Sequence, residues 1–458
     1  CTCLWIDLVE IMNVQQTLIK PRNKGCIIME LKHKCLWPDL VAHIPTYPAL
    51  QGDAKADVCV IGAGFTGLSA AIRLRELGQS VRVLEGTHLA YGGSGRNVGL
   101  VNAGSWIKPD EFDKILGAEA GKKFNQAFGD APQLVFDLIQ QYNLDAQHTH
   151  TGTLHMAHNA KGSADIQDRY QQWTKRGANM RLLEGAECQE YCGTDKIPSA
   201  LLDLRCGTVN PFAYANALAS TAAQLGAHIH EQSKVTHISR QGSQWLVRAE
   251  NGSVLADKVI IASNAYTEGN WTDVTRAIYP GYYYQVASKP LSGATADTIL
   301  PHKQGSWDTR TVLSSIRRDQ AGRLILGSLG RSDNKPAWFI KKWADRVQQF
   351  YYPQLGNNVE WEYVWCGRIG FTDDHIPRVF EPERGVVAAT GYNGRGVTTG
   401  TLMGRAMVDY LVQDDPAILP LPFKGVNECE CKNSNLKSLF YETSFSAYHL
   451  GQCLNLVR

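Results

Sequence analysis

The chain has 458 residues, roughly three times the ~150 of one domain, which excludes a single small domain and leaves room for two or more folding units. Its 46 Lys and Arg against 44 Asp and Glu give a formal charge of +2 with charged residues at 20%. That balance excludes an electrostatic nucleic-acid footprint and charge-driven disorder, and it points to a small-molecule partner. Hydrophobic content of 44% with 42 Gly and 18 Pro is ordinary for a globular α/β chain.

The first 28 residues begin with Cys1 and precede Met29, after which the patterning becomes regular. Met29 is the expected start, and residues 1–35 are expected to be an extension outside the fold. The twelve Cys are spread along the chain without repeating spacing, which reads as reduced, buried thiols and a cytoplasmic setting. Neither Cys1, Cys3, Cys26 and Cys35 nor Cys429, Cys431 and Cys453 has paired C-x2-C or H-x3-H spacing, so no metal site is expected.

The clearest segment is Asp57 to Glu85. DVCVIG is a β-branched strand, Gly62, Gly64 and Gly67 form GxGxxG, LSAAIRLREL is a helix stopped by Gly78, and SVRVLE is a second strand. Glu85 falls 18 residues after Gly67, where an acid takes the ribose hydroxyls of a dinucleotide. The glycines permit a tight turn, let backbone amides approach a pyrophosphate and seat the helix so that its N-terminus faces the phosphates. Ala56 to Ile72, the longest apolar stretch, carries these three glycines plus Thr66 and Ser69, so no transmembrane helix is expected.

GGSGRNVG, Gly92 to Gly99, is a second glycine-rich loop, with Arg96 and Asn97 placed to meet a phosphate or a flavin ring. An NAD enzyme needs only the first unit; a flavoprotein needs further contacts of this kind. Residues of about 130 to 202 read as helical and polar, with QLVFDLIQQY and DIQDRYQQWTKRG. KVTHIS, QWLVRAE and VLADKVIIAS, with a turn at Asn251 and Gly252, read as a β-meander. From about 273 to 361, strand-like runs such as YYYQVASKPL alternate with a helix, WFIKKWADRVQQFYY. VVAATG, Val386 to Gly391, is a buried strand running into YNGRGVTTG and a helix opening near Thr398 and Thr399. Gly425 to Ser438 is tail-like and leads to a short terminal helix whose Tyr441, Phe445 and Tyr448 share a face that covers its own domain.

DVCVIGAGFTGLSAA, GGSGRNVG and ATGYNGRGVTTG, in that order, resemble the FAD-dependent amine and amino-acid oxidases of the D-amino-acid oxidase and glycine oxidase superfamily. Within it the chain is most similar to the bacterial group of gamma-glutamylputrescine and L-pipecolate oxidases. GTLHMAHNA, CQEYCGTDKI, GSWDTRTVLSSIRRD and GSLGRSDNKPAWF carry that likeness. The resemblance implies oxidation of the secondary amine of L-pipecolate to a Δ1-piperideine carboxylate in lysine catabolism, with FAD reoxidised by O2 or a respiratory acceptor. Rival readings are another amine or cyclic imino acid as substrate, a non-catalytic flavin-binding protein, and an NAD dehydrogenase, which the additional glycine loops oppose.

The expected fold is α/β. A Rossmann-like FAD-binding domain over 56–130, 203–272 and 362–422 is interleaved with an α+β substrate domain over 131–202 and 273–361, and 423–458 form a tail. Cofactor contacts are expected from Gly62, Ala63, Gly64, Phe65, Thr66, Gly67 and Glu85, and from Gly93, Ser94, Arg96 and Asn97. Val235, Ser263 and the C-terminal turn, Gly391, Asn393, Gly394, Gly396, Val397 and Thr398, complete the set. Arg395 is expected to hold the substrate carboxylate or to counter charge on the flavin. Alternation along a strand lets either Tyr283 alone or the pair Tyr282 and Tyr284 face the flavin; the pair is taken as the site, against plain core packing. Trp307 and Trp365 carry the same ambiguity.

In the superfamily an arginine within G-x-R-P holds the carboxylate. Here WCGRIGF sets Arg368 one place early and Ile369 at the expected position, which on a strand turns the side chain to the other face. Cys366, seven residues before Asp373, resembles in spacing the flavin-linked cysteine of monomeric sarcosine oxidase, but a buried thiol is expected.

Overall fold

The computed structural model describes residues 31–454 apart from Asn270 and Asn358; Met29 and Cys1, Cys3 and Cys26 lie outside the described residues. Two eight-stranded sheets organise the chain. In the first, Val386–Thr390, Gly252–Ile261, Gly52–Ile61, Val81–Leu84 and His228–His230 run parallel, with Arg378–Glu383 antiparallel at one edge. The expected meander is present as Val235–Gln241, Gln244–Ala249 and Gly252–Ile261. β-Branched residues dominate the central strands because they are covered on both faces: Val58, Val60, Val83, Val259 and Ile260 are buried.

Helix Phe65–Glu76 follows the first strand, and Gly78 at φ +77° lies just beyond its end. Its seating depends on Gly67, where a Cβ would fall 1.9 Å from the Gly62 carbonyl oxygen. Helix Gly396–Gln413 crosses it at a glycine contact, since a Cβ on Gly404 would lie 2.3 Å from the Thr66 carbonyl oxygen. This helix starts at Gly396, two residues before the expected opening near Thr398.

The second sheet runs in the order Trp361–Phe371, Tyr279–Pro290, Arg323–Leu329, Ser314–Arg318, Gly305–Asp308, Thr153–Met156, Ser199–Asp203, Met180–Glu184. Two features differ from the sequence reading. The stretch 130–202 is not simply helical, because three strands in it join this sheet. Trp361–Phe371 pairs along its length with Tyr279–Pro290, so this part of 362–422 belongs to the second sheet, not the first. Behind the sheet, Tyr284, Val286 and Leu326 pack with Ile340 and Trp343 of helix Ala337–Tyr351.

The terminal helix spans Ser434–Cys453, 20 residues, so it starts inside the supposed tail and is not short. Its Tyr441 stacks on Tyr279 at 5.5 Å between centroids, covering the second sheet. Arg317 ties that sheet to the second glycine loop: it is buried and donates to the carbonyls of Val98 and Val209, 2.8 Å each.

Candidate active site

A cavity of about 690 Å3, within the roughly 300–1,000 Å3 of ligand sites, opens at the carboxyl ends of the first sheet's parallel strands. Ile61, Leu84 and Ala262 mark those ends, and Tyr283, Trp307, Ser315 and Leu329 of the second sheet form the opposite wall. Ligands of open α/β sheets bind outside these strand ends.

At the strand-turn-helix end, Gly62 has φ +103° and Gly64 leaves space where a Cβ would meet Ser94 Oγ at 2.7 Å. Ser94 Oγ accepts from the Phe65 amide (3.0 Å) in the helix's first turn, which is the kind of donor a phosphate oxygen takes. Glu85 accepts from the amides of Ala63 (2.9 Å) and Thr87 (3.1 Å), so its carboxylate is fixed at the cavity wall. Asn97 serves its own loop, donating to the carbonyls of Gly93 and Ser94, 2.9 Å each. The Arg96 guanidinium lies 4.4 Å from the Tyr91 ring centroid. The Arg96 carbonyl accepts from Gln285 (2.7 Å) and Trp365 (3.0 Å). The glycine cradles at Gly62 and Gly64 and the Glu85 carboxylate at the wall fit the diphosphate and ribose of FAD.

Gly62, Gly64, Phe65, Thr66, Glu85, Gly93, Ser94, Arg96, Asn97, Val235, Ser263, Asn393, Gly394, Gly396 and Val397 all line the cavity, as does Arg395. Ala63, Gly67, Gly391 and Thr398 do not and act from behind. Gly67 seats the helix, Gly391 donates to Asn264 Oδ1 (3.0 Å), and Thr398 Oγ1 donates to the Asn102 carbonyl (2.9 Å).

Arg395 Nη1 donates to the Ala103 carbonyl (2.9 Å). Its guanidinium lies 4.9 Å from the Trp106 ring centroid and 5.6 Å from that of Trp307. Burial, reinforced by the nearby Arg169 charge, pushes it down to about 10. Elsewhere in the lining, Lys234 is paired with Glu268 (2.7 Å) and Arg310 with Asp308 (2.6 Å). Arg96, Arg368 and Arg395 donate from their guanidiniums only to backbone carbonyls, those of Cys366 (3.5 Å), Ala265 (3.3 Å) and Ala103, and of the three it is Arg395 that lies against two indoles.

The tyrosine expectation is overturned by register. Tyr283 lines the cavity and donates to Ser315 Oγ (2.6 Å). Tyr284 is buried on the other face, 4.8 Å from Trp343 between centroids, and Tyr282 lies under Arg331 at 4.6 Å. Cys366, opposite Tyr284 in the sheet, packs into the same core and is outside the cavity lining. Arg368 braces the Asn264–Tyr266 turn: its amide donates to Tyr266 Oη (2.8 Å) and its guanidinium to the Ala265 carbonyl (3.3 Å). Trp365 is edge-on to Trp37 at 5.7 Å and is a packing residue, whereas Trp307 is a cavity residue.

Sequence reasoning missed Trp106, Asn264, Tyr266, Arg310, Ser315 and His375 in the lining. The local signal among them is Asn264, three residues past the end of the buried strand Gly252–Ile261, where the backbone takes φ +43°, a conformation Asn tolerates. Among the described residues no group of three or more His, Cys, Asp or Glu is placed to hold a metal ion, and no helix is long and apolar enough to cross a membrane.

The fold and site define a dinucleotide-binding oxidoreductase whose second sheet closes over the cofactor cleft. The chain belongs to the FAD dependent oxidoreductase family (DAO), which matches residues 57–410. It is an FAD-binding enzyme of a family whose relatives are named for the oxidation of amines and amino acids. It is 30% identical over 375 residues to the "Probable oxidoreductase OrdL" of Haemophilus influenzae, covering 81% of this chain and 86% of that protein. It is 28% identical over 380 residues to the gamma-glutamylputrescine oxidoreductase of Escherichia coli, covering 80% and 86%. The glycine oxidase structure from Geobacillus kaustophilus superposes with a TM-score of 0.68 at 20% identity, covering 81% of this chain and 99% of that one.

Proposed function

We propose that this enzyme oxidises the secondary amine of L-pipecolate to a Δ1-piperideine carboxylate, serving lysine catabolism. One observation carries the reading: Arg395, bonded only to a backbone carbonyl and held by Trp106 and Trp307 at the cavity wall, suits a substrate carboxylate beside an apolar ring. A guanidinium takes a carboxylate bidentately, and the indoles fix its plane. Tyr283 offers a ring to wall the six-membered substrate and a hydroxyl beside Ser315. The first-turn amides of helix Gly396–Gln413, at Gly396 and Val397 in the lining, favour negative charge developing nearby.

When bound, FAD supplies the acceptor for the hydrogen on the carbon next to nitrogen, taking two electrons. The chain's own residues bind the carboxylate, orient that carbon and exclude water. In this proposal the first sheet and its helices form the cofactor domain and the second sheet the substrate domain. The free thiols of Cys59, Cys188, Cys206 and Cys366 support a cytoplasmic setting.

The second reading, a linear amine such as gamma-glutamylputrescine, is favoured by the likeness to the Escherichia coli oxidoreductase. The experiment is the visible spectrum of the purified enzyme under anaerobic conditions, before and after L-pipecolate. Bleaching of the flavin bands is the expected result. Bands that persist with L-pipecolate but bleach with gamma-glutamylputrescine move the assignment to the linear amine, and bands that no amine bleaches support a non-catalytic flavin-binding protein.

A further inference from the structure

Behind Arg395 and Trp307 lies a second chamber of about 20 Å3, room for one or two water-sized particles. His155, Arg169 and Asp203 wall it, and Asn102, like Arg395 and Trp307, lines both it and the main cavity. Its acceptors are already engaged. Asn102 Oδ1 takes the Thr153 hydroxyl (3.0 Å), Asp203 takes Arg205 through Nε (2.9 Å) and Nη2 (2.7 Å), and Cys206 Sγ takes the Ala103 amide (3.2 Å). Three donors are not engaged: Arg169 Nε, Arg395 Nε and Trp307 Nε1 are sealed from solvent without a partner, as is His155 Nδ1, a donor or an acceptor according to the tautomer. Trp307 itself is 8% exposed.

The charges are as uneven as the hydrogen bonds. Arg169 gives its terminal nitrogens to the carbonyls of Ser105 (3.2 Å) and Trp106 (2.6 Å), Arg395 bonds to a carbonyl, and Asp203 is neutralised by Arg205. Carboxylates act on both guanidiniums from a distance, Asp165, Glu111 and Asp168 on Arg169 and Asp203 on Arg395, but Asp165 and Asp168 pair with Lys108 and Asp203 with Arg205, so neither buried guanidinium has a carboxylate in direct contact and the site favours a further anion. Burial and the same two guanidiniums hold the His155 imidazole well below its ordinary range, so it is neutral at pH 7. Guanidinium and indole nitrogens only donate. A single water molecule has two acceptor positions for three such donors, and water in any number brings no charge.

We propose that this chamber binds a monatomic anion of chloride or bromide size, held by Arg169, Arg395 and Trp307. The anion accepts the three N–H groups and places a negative charge in direct contact with both guanidiniums. This inference does not depend on which amine is the substrate.

The test uses the flavin-loaded enzyme at constant ionic strength while chloride or bromide replaces methanesulfonate, which is too large for the chamber. A saturable rise in Tm is expected, roughly 2 °C at tenfold the half-saturating halide concentration. In crystals grown with bromide, an anomalous peak is expected within hydrogen-bond distance of Arg169 Nε and Arg395 Nε. Arg169→Met abolishes the rise. Because Arg169 also braces two carbonyls, Trp307→Phe serves as the second variant: it keeps the ring, removes one donor and raises the half-saturating concentration roughly tenfold, the loss of one hydrogen bond to a charged partner. A chamber without an anomalous peak, a peak elsewhere on the surface (an adventitious ion only), or a Tm rise retained in both variants overturns the proposal.

Discussion

Replacing Arg395 by Met tests the carboxylate assignment, because it removes the charge and both donor pairs while keeping an unbranched side chain between Trp106 and Trp307. Truncating one partner of a buried, hydrogen-bonded charge pair costs about 2–5 kcal/mol, so kcat/KM for L-pipecolate should fall roughly 30- to 5,000-fold. The carboxylate does not change during the reaction, so the loss belongs mainly in KM. Steady-state kinetics supply both constants, and binding of cyclohexanecarboxylate, which has no amine to titrate, gives the carboxylate contribution alone. The guanidinium is pushed down to about 10, so wild-type affinity for this competitor should drop about tenfold per pH unit above that value, with no such break in the variant. The free variant should be as stable as the wild type or more so, since an unpaired buried charge has been removed. An unchanged KM with a reduced kcat would refute the reasoning and place Arg395 against the flavin instead.

Three further outcomes follow from particular contacts. Gly67→Ala puts a Cβ 1.9 Å from the Gly62 carbonyl oxygen; as overpacking it should cost about 1–3 kcal/mol or more and lower the FAD content, measured by absorbance ratio and Tm. Tyr283→Phe loses the bond to Ser315 and should change KM or kcat. Tyr284→Phe removes a buried hydroxyl without a partner and should leave kinetics unchanged, with stability equal or higher by up to ~1 kcal/mol; equal kinetic effects of the two would contradict the register. Glu442 is pushed by burial up to about 7 against the opposing charges of Arg331 and Lys335. Its folded value lies above the ordinary 4.5, so its stabilising contribution is full below pH 4.5 and is lost as pH rises through 7. After allowing for its partial exposure, Glu442→Gln should stabilise the protein by about 1 kcal/mol at pH 8 relative to pH 5; urea unfolding at both pH values checks this, and an offset independent of pH rejects it.

The first glycine unit was legible because its strand, turn and helix are local and each glycine answers a steric need within a few residues. Thr153–Met156, Met180–Glu184 and Ser199–Asp203 were not. Each has four or five residues, and Ser199–Asp203 is buried at every position, so no alternation marks it as a strand. The sheet that Trp361–Phe371 joins is not legible locally, because its partner, Tyr279–Pro290, is some 80 residues earlier, and only pairing decides which sheet a strand joins. The choice among Tyr282, Tyr283 and Tyr284 is a matter of one residue of register, which composition does not encode.

That register also accounts for the departure at WCGRIGF. Gly367 pairs with Tyr283 and Ile369 with Gly281, so these two share the cavity-facing side, while Arg368 turns to Tyr266 and Ala265. At 369 the chain presents an aliphatic side chain to the cavity, 3.7 Å from the Cβ position of Gly394. Arg368 also lines the cavity but is turned to the Ala265 carbonyl, and under the proposed function the cation for the carboxylate is Arg395. Arg395 follows directly on Gly394, and the aromatic rings that hold it, Trp106 and Trp307, come from segments nearly 300 and 90 residues away in sequence. Under the proposed function, Ile369 supplies an apolar wall for the substrate ring and Arg395 the charge for its carboxylate. Ile369→Arg should consequently fail to replace Arg395 in the double variant, because a charge on that wall meets the ring of the substrate and not its carboxylate; recovery of the wild-type KM in the double variant would refute it.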